Sequence, residues 1–349
     1  MTIAGVASAF PPHQYDQSVV LSALQRHWGP KVQNPVFMER LQARVGVDKR
    51  CLALPLERYE TLTNWGEANN HWIEVAQDLG EKSLCRALTR AGVAPPELDA
   101  LFFTSITGIA CPSIDARLVN RMGLSRHLKR IPIFGLGCQA GACGLARAAD
   151  YVLAYPRQVA AVLSVELCSL TLQHGDVSVA NLISSGLFGD GSAAAVVTGA
   201  ERENVGPEIL DTRSVIYPNT EHILGWDISE KGFRIVLDRE LPDLVQQNLA
   251  PDVDAFLEAN GLVRADIGTW ILHTGGPRVL EATAAALNLS EEKIGPSWDC
   301  LRKNGNISSA AVLVILEELM TRNRPDTGTH TLLIAMGPGF SAELVLLRW

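Results

Sequence analysis

The chain has 349 residues, of which 47% are hydrophobic and 19% charged, with 30 Lys and Arg against 38 Asp and Glu. This composition is that of a globular protein and excludes a disordered, collagen-like or coiled-coil chain. The formal net charge of −8 argues against general nucleic-acid binding, which needs a basic face, although a few arginines could still hold a small polyanion. At about 150 residues per domain, the length predicts about two domains.

Two further absences bear on the cellular compartment. No apolar run reaches the roughly 20 residues that a bilayer-spanning helix needs, and the start of the chain lacks the basic and apolar regions of a signal peptide. The seven cysteines form no CxxC motif and no metal-like pairing with histidine. We therefore expect reduced thiols, a cytoplasmic protein without a membrane span, and no bound metal.

Strands and helices alternate along the first half of the chain. Apolar residues at three- and four-residue steps predict a long helix over 69–91, and Pro95 and Pro96 follow it as helix breakers. Short apolar runs and small residues predict the next elements, which are strands over 98–105, 130–136 and 159–165 and a helix from 137 to about 153. This alternation is typical of an α/β protein with a largely parallel sheet.

Segments in the second half of the chain are similar to segments in the first half. Residues 99–108 resemble 266–275, each with an acidic start, an apolar strand and a Thr-Gly pair, and 159–165 resembles 331–336. Chance similarity between two α/β units is the alternative. We interpret the matches as a duplicated α/β unit, divided into residues 1–200 and 201–349.

Cys138 lies where a predicted strand ends and a helix of small residues begins. The partial positive charge of a helix N-terminus lowers the pKa of a thiol, so this position suits a nucleophile. A buried cysteine that only packs is the alternative. Cys143, further along the same helix, is interpreted in that second way.

Two segments in the second half place a polar residue beside an apolar element. His273 follows the apolar residues 270–272 and precedes Thr274-Gly275-Gly276-Pro277, where glycines would let a ligand approach an imidazole. Asn306 precedes an apolar helix, where the ordinary role of asparagine is an N-cap. The residues alone leave the functional and the structural interpretation of each open.

Segments around these three residues resemble the catalytic segments of type III polyketide synthases, the chalcone-synthase-like family. They are Gly137-Cys138-Gln139-Ala140-Gly141, His273-Thr274-Gly275-Gly276-Pro277 and Gly305-Asn306-Ile307-Ser308-Ser309-Ala310. Three more agree in the family's order: Pro11-Pro12-His13, Leu187-Phe188-Gly189-Asp190-Gly191 and Gly337-Pro338-Gly339-Phe340. Such ordered matches over nearly the whole chain are specific, and they imply a homodimer with the thiolase fold, a duplicated α/β architecture layered αβαβα.

The resemblance implies a role for each of the three residues. Cys138 would be the nucleophile that takes an acyl group from an acyl-CoA starter. His273 would hold the thiolate as an ion pair. With Asn306 it would bind the thioester oxygen and the enolate left when malonyl-CoA loses CO2. The acyl-CoA and malonyl-CoA thioesters are substrates, and the resemblance implies neither a cofactor nor a metal.

Phe188 resembles the family's gatekeeper phenylalanine, which stands between the CoA tunnel and the active-site cavity. The alternative is an aromatic residue at a hairpin, because Gly189-Asp190-Gly191 is typical of a turn before the apolar strand 193–197. Ile235 falls at the position of a second gatekeeper, with Phe233 nearby, and there the chain departs from the plant pattern. An aliphatic residue at that position predicts a wider passage.

A basic cluster near the start of the chain could meet CoA phosphates. Arg40 and Arg44 are four residues apart, in a helix predicted around 37–43 and close to Lys49 and Arg50. They resemble phosphate-binding positions of the family, and arginine binds phosphate in a bidentate manner. A solvated helix face is the alternative.

Four further residues align with the family's pocket lining, and they are Thr107, Cys111, Cys168 and Thr171. Cys111 resembles the residue that reaches across the dimer. Residues 166–172 look like bacterial alkylpyrone and alkylresorcinol synthases, and small pocket residues leave room for a long acyl chain, whose burial gives about 0.8 kcal/mol per methylene. We therefore expect a long-chain acyl-CoA starter, extension by malonyl-CoA, and cyclisation to an alkylpyrone or alkylresorcinol.

Three other functions remain open. Bacterial tetrahydroxynaphthalene synthases share Glu166-Leu167-Cys168-Ser169-Leu170, so malonyl-CoA could also be the starter. A single-condensation enzyme like 3-oxoacyl-carrier-protein synthase III is the second alternative, although the Gly-Pro-Gly-Phe segment resembles the polyketide branch more. A non-catalytic thiolase-fold scaffold is the third, and the presence of Cys138, His273 and Asn306 argues against it.

Overall fold

The computed structural model describes residues 1–29, 40–41, 43–203 and 205–349. The strands are β1 (Thr2–Ala9), β2 (His13–Asp16), β3 (Lys49–Leu52), β4 (Ala100–Thr104), β5 (Lys129–Ile133), β6 (Val159–Leu167), β7 (Asp190–Thr198), β8 (Glu208–Ile216), β9 (Leu224–Ser229), β10 (Gly232–Leu237), β11 (Ile267–Leu272), β12 (His330–Gly337) and β13 (Ser341–Arg348). The α-helices are α1 (Gln17–Trp28), α2 (Trp65–Arg90), α3 (Ile114–Met122), α4 (Ala140–Ala154), α5 (Val179–Leu187), α6 (Leu241–Ala259), α7 (Pro277–Leu287), α8 (Gly295–Asn304) and α9 (Ala311–Thr321).

The main sheet contains two strand sets with the same order. Its sequence of strands is β11-β12-β13-β8-β1-β7-β6-β4-β5, and β1 meets β8 where Thr2 pairs with Glu208. In the first set β4 and β6 are parallel and β7 and β1 follow antiparallel. In the second set β11 and β12 are parallel, and β13 and β8 follow antiparallel. The duplication is therefore confirmed, and the matched segments 99–108 and 266–275 contain β4 and β11, which occupy equivalent positions.

Helices separate and cover the two strand sets. α9 has the sequence AVLVILEELMT, and together with α4 it shares one core with side chains from both sets, such as Val162 of β6 and Leu333 of β12. α2 packs on the outer side of the first set, and α6 and α7 pack on the outer side of the second. The layers therefore run αβαβα, as expected, while the boundary between residues 200 and 201 stays a prediction.

Element ends differ slightly from the sequence-based expectations. α2 begins at Trp65 rather than at residue 69, because the Asn64 side chain accepts a hydrogen bond from the Glu67 N–H at 3.2 Å and caps the helix one turn earlier. β5 ends at Ile133 rather than at residue 136, since Gly135 turns the chain with a φ of +96°. In the described part of the chain, no helix is long and apolar enough to cross a membrane.

The hairpin-turn alternative for Gly189-Asp190-Gly191 is wrong. Phe188 directly follows α5, and β7 begins two residues later, so the chain passes from helix to strand without a reversal. A Cβ at Gly189 would lie 2.1 Å from the Asn304 carbonyl oxygen, so this glycine permits close approach of two backbones. The glycines that resemble a turn signal instead allow the Phe188 segment to run beside the Asn306 segment.

Candidate active site

Cys138 lies in a short 3-10 helix that leads directly into α4. Gly137 before it has a φ of +53°, and a Cβ there would lie 2.4 Å from Cδ of Pro338. After it, Gln139 Nε2 donates to Ser341 Oγ at 2.6 Å. Because both neighbours contact the β12–β13 connection, the thiol is held where the two halves of the molecule meet.

Asn306 lies between α8 and α9, with its backbone paired to the Phe188 segment. The Asn306 N–H donates to the Leu187 carbonyl at 2.9 Å, and the Gly189 N–H donates to the Asn306 carbonyl at 3.0 Å. The side-chain Oδ1 accepts from the Ser308 N–H at 2.8 Å. This side chain therefore closes a local turn just before the short helix that begins at Ser308, and its NH2 group remains available as a donor.

His273 follows the last residue of β11. Its N–H donates to the Ile334 carbonyl at 2.9 Å, which extends the pairing with β12 by one residue. The residue is buried, and its Nδ1 has no hydrogen-bond partner among the described residues. Burial lowers the pKa of His273 to about 4, so the imidazole is neutral near neutral pH.

The thiolate expected for Cys138 at a helix N-terminus stays a prediction, and burial acts against it. Burial raises the pKa of Cys138 to about 12. The Ser308 side-chain hydrogen bond works against this rise, the charge of Glu166 adds to it, and the Asn306 side chain works against it. Burial also lowers the pKa of His273, so it acts against the charged form of both residues, and the ion pair that the resemblance implied stays a prediction.

Glu166, near the end of β6, is a buried carboxylate that the sequence analysis quoted but did not identify as a site residue. Its Oε2 accepts from Thr107 Oγ1 at 3.1 Å, and its Oε1 accepts from Ser308 Oγ at 3.3 Å and from Ser309 Oγ in a shorter bond. Burial raises the pKa of Glu166 to about 7, against the effect of these hydrogen bonds. One acid in a fully buried strand, whose other residues are apolar except Ser164, was the signal that could have identified it.

The two predicted gate residues lie together at the thiol. Phe188 and Ile235 line a small cavity of about 30 Å³ that also touches Cys138 and Cys168. They also line a larger, mostly apolar cavity of about 360 Å³, which includes Cys168 and Thr171. The gate residues therefore lie between a small space at the thiol and a larger space beyond it.

Trp226 was missed by the sequence analysis and lines both cavities. It lies directly opposite Ile235 in the β9–β10 hairpin, so an indole occupies the wall beside the aliphatic gate residue. The wider passage predicted from Ile235 stays a prediction, with Trp226 in the wall beside it. A tryptophan on the strand that precedes the gate was the available signal.

The other predicted site residues occupy varied positions. Thr107 lines the small cavity, whereas Cys111 is exposed on the loop after β4 and lines neither cavity, so its role across a dimer stays a prediction. The helix predicted around 37–43 falls largely on residues outside the described ranges. Arg40 and Arg44 are described and exposed, and within those ranges neither forms an ion pair.

The segment that follows Arg44 packs near the start of α7. A Cβ at Gly46 would lie 3.0 Å from Cγ of Pro277, which is four residues after His273. Because Pro277 is the first residue of α7, the chain that follows Arg44 lies close to the start of that helix. Among the described residues, no group of three His, Cys, Asp or Glu side chains is arranged to hold a metal ion.

Comparison with known proteins identifies the family. The models of the N-terminal and C-terminal domains of chalcone and stilbene synthases match residues 57–202 and 208–349. A 1,3,6,8-tetrahydroxynaphthalene synthase of Streptomyces peucetius subsp. caesius is 49% identical over 351 residues, which cover 100% of this chain and 93% of that relative. A putative chalcone synthase of Bacillus subtilis is 37% identical over 87% of this chain and 86% of its own length.

A solved structure agrees with this assignment. The crystal structure of 1,3,6,8-tetrahydroxynaphthalene synthase from Streptomyces coelicolor, a bacterial type III polyketide synthase, matches with a TM-score of 0.95 at 32% identity. The match covers 100% of this chain and 99% of that structure. The chain therefore belongs to the chalcone and stilbene synthase family and is a type III polyketide synthase, an acyltransferase with the thiolase fold that uses malonyl-CoA.

Proposed function

We propose that this enzyme is primed and extended by malonyl-CoA, as a tetrahydroxynaphthalene-type synthase. The similarity to a known synthase carries the proposal, and the confined space of about 30 Å³ at Cys138 agrees with it, because this space leaves no room for a long chain. The 49% identity to a tetrahydroxynaphthalene synthase supports the same starter. The larger cavity beyond Phe188 and Trp226 would then receive the polyketide as it grows.

Cys138, His273 and Asn306 perform the chemistry in this proposal. The Cys138 thiol attacks the thioester carbonyl, its proton passes to the neutral His273 ring, and CoA leaves as a thiol after taking up that proton. His273 and the Asn306 amide then donate hydrogen bonds to the enolate that forms when malonyl-CoA loses CO2. The enolate carbon attacks the acyl-Cys138 carbonyl, which forms the carbon–carbon bond and releases the cysteine sulfur.

A long-chain acyl-CoA starter is the second candidate. It is favoured by the mostly apolar cavity of about 360 Å³, whose size lies within the usual range for ligand pockets. An acyl chain could enter that cavity if the Phe188 and Trp226 side chains moved apart. The product would then be the alkylpyrone or alkylresorcinol expected from residues 166–172.

Product analysis separates these candidates. Purified enzyme is incubated with malonyl-CoA alone and with malonyl-CoA plus acyl-CoA starters from acetyl to palmitoyl, and products are identified by liquid chromatography and mass spectrometry. We expect an aromatic product from malonyl-CoA alone and none from a Cys138→Ala control. If products form only when an acyl-CoA is added, the malonyl-starter proposal is wrong and the long-chain starter takes its place. Dependence on a carrier protein would overturn both.

The expected partners also stand as proposals. We infer that Arg40 and Arg44 meet the phosphates of CoA, because both are exposed cations without an ion-pair partner in the described ranges. We further propose a homodimer formed beside β5, an edge strand of the main sheet whose next residue, Phe134, is 51% exposed. CoA thioesters are the substrates, no cofactor is required, and the enzyme works in the cytoplasm.

A further inference from the structure

We propose that Arg50 is a positioning residue that holds the Phe188 gate in place and thereby influences which starter reaches Cys138. This inference rests on the proposed gate role of Phe188. Arg50 is not among the site residues predicted from the sequence, where it appeared only as a neighbour of the Arg40 and Arg44 cluster.

Arg50 lies on β3 and is 1% exposed, so its charge is enclosed by the protein. Its Nη1 donates a short hydrogen bond to the Phe188 carbonyl, and its Nη2 donates to the Ser185 carbonyl at 2.7 Å. The last carbonyls of a helix have no partner inside the helix and carry partial negative charge. Arg50 therefore ends α5 and fixes the peptide that carries the gate ring.

The opposite side of the same peptide is fixed by the catalytic segment. Phe188 and Asn306 form an isolated parallel bridge, through the hydrogen bonds that join Asn306 to Leu187 and Gly189. The gate backbone is thus held between a buried cation on one side and the Asn306 backbone on the other. A shift of the Arg50 side chain would be expected to move the Phe188 ring relative to Cys138.

A buried carboxylate connects this arrangement with the other cavity wall. Asp190 accepts from the Ser169 N–H at 2.8 Å, from the Ser169 hydroxyl, and from the Ala53 N–H at 2.5 Å. Ser169 follows Cys168, which lines both cavities, and its hydroxyl lies 2.6 Å from the Tyr59 hydroxyl. Asp190 also supplies a negative charge that acts on Arg50. The gate and the facing wall therefore belong to one buried polar network.

Lysine is the informative replacement for Arg50. Arg50→Lys keeps the positive charge but loses the planar fork that reaches two carbonyls. The measurement is the rate at which Cys138 is acylated by octanoyl-CoA and by acetyl-CoA, followed by mass spectrometry of the intact protein. We expect the octanoyl-to-acetyl ratio to change roughly tenfold, as displaced positioning groups can cause. Phe188→Ala should change the same ratio, and Arg50→Lys should add nothing further in the Phe188→Ala background.

Arg90→Lys is the matched control. Arg90 also donates to a backbone carbonyl, that of Val6, and to Glu317 at 2.6 Å, but it lines neither cavity. Its replacement should lower the melting temperature without changing the acylation ratio. If Arg50→Lys fails to fold, Arg50→Gln, which keeps a donor without a charge, is assayed in the same way.

The outcomes distinguish a failure of the Arg50 proposal from a failure of the gate role proposed for Phe188. If Phe188→Ala changes the ratio and the folded Arg50 variant does not, the positioning role of Arg50 is overturned and the gate stands. Equal effects of Arg50→Lys with and without Phe188 would also overturn it, because Arg50 would then act by another route. If Phe188→Ala leaves the ratio unchanged, the gate role itself fails.

Discussion

Glu166 is the buried acid whose titration most directly couples the active site to protein stability. Burial raises its pKa from 4.5 to about 7 in the folded protein. The folded state therefore retains a proton that the unfolded state releases, so the stabilising contribution is complete below about pH 4.5 and is lost as the pH rises through about 7. A Glu166→Gln variant, which cannot ionise, should lack this loss.

Urea unfolding of both proteins between about pH 5 and about pH 8 checks this prediction. The free energy of unfolding of the wild type, minus that of Glu166→Gln, should fall steadily as the pH rises. Other buried groups, such as Asp190 and His273, are common to both proteins and cancel in the difference. Parallel stability curves for the two proteins would show that Glu166 does not titrate in this range.

Replacement of Asn306 tests whether its amide donates a hydrogen bond to the substrate. Its Oδ1 is engaged by the Ser308 N–H, so the amide NH2 is the group available to a substrate oxygen. Asn306→Ala should reduce the rate of product formation by about 10²–10³-fold, the usual cost of removing one oxyanion donor. It should also lower stability by about 1 kcal/mol through loss of the hydrogen bond with the Ser308 N–H.

Steady-state product formation and thermal melting measure these two effects separately. Asn304→Ala is the control, because Asn304 ends α8 close by and its Nδ2 donates to the Cys300 carbonyl at 3.2 Å rather than toward the thiol. It should lose a similar amount of stability and keep most of its activity. Nearly full activity in Asn306→Ala would remove Asn306 from the proposed mechanism.

At the scale of elements, α4 depends on a close approach to the Asn306 segment. A Cβ at Gly141 would lie 2.1 Å from the Ser309 carbonyl oxygen, which belongs to the rigid backbone. Gly141→Ala must therefore displace α4, and we expect a loss of about 3 kcal/mol, as for other overpacked core sites. Because α4 directly follows the short helix that carries Cys138, acylation of the thiol should slow as well.

Chemical denaturation and acylation assays check this prediction against Gly295→Ala. A Cβ at Gly295, in the first turn of α8, meets nothing within 4 Å, so alanine there should be neutral or stabilising by up to about 1 kcal/mol. A Gly141→Ala variant as stable as wild type would mean that α4 adjusts without cost.

Helices and strands were predicted correctly where the signal lies in the local sequence. The prediction was wrong where a contact with a distant chain segment determines the local structure. The helix over 69–91 and the strand over 159–165 were identified because apolar spacing reports which residues face a core. Gly189-Asp190-Gly191 was interpreted as a possible turn, since glycine pairs signal turns locally. In the structure Gly189 permits close contact with the backbone of Asn304, which lies more than a hundred residues away in sequence. The residues around Gly189 carry no signal of that contact.

At the scale of the whole molecule, the meeting of Cys138, His273 and Asn306 was predicted from motif resemblance. The structure brings the Cys138 and Asn306 segments together, and the place of His273 beside them stays a prediction. The electrostatics of the site were not predictable from the same motifs. The pKa of Cys138 depends on how completely the surrounding layers exclude water, and that is a property of the assembled fold. The role of Trp226 likewise follows from its pairing with Ile235 across a hairpin rather than from its own neighbours in sequence.

The edge of the main sheet gives the last prediction. β5 is an edge strand, and Phe134, which follows it, is 51% exposed and has its ring 6.4 Å from that of Phe233. Exposed sheet edges with apolar neighbours are usually covered, and a second copy of this chain is the proposed cover. Phe134→Asp places a charge there and should shift the protein from dimer to monomer in light scattering coupled to size-exclusion chromatography. Val263→Asp, which changes a residue that is 62% exposed elsewhere, should leave the dimer intact. A monomeric wild type, or a Phe134→Asp variant that remains dimeric, would place the interface elsewhere or remove it.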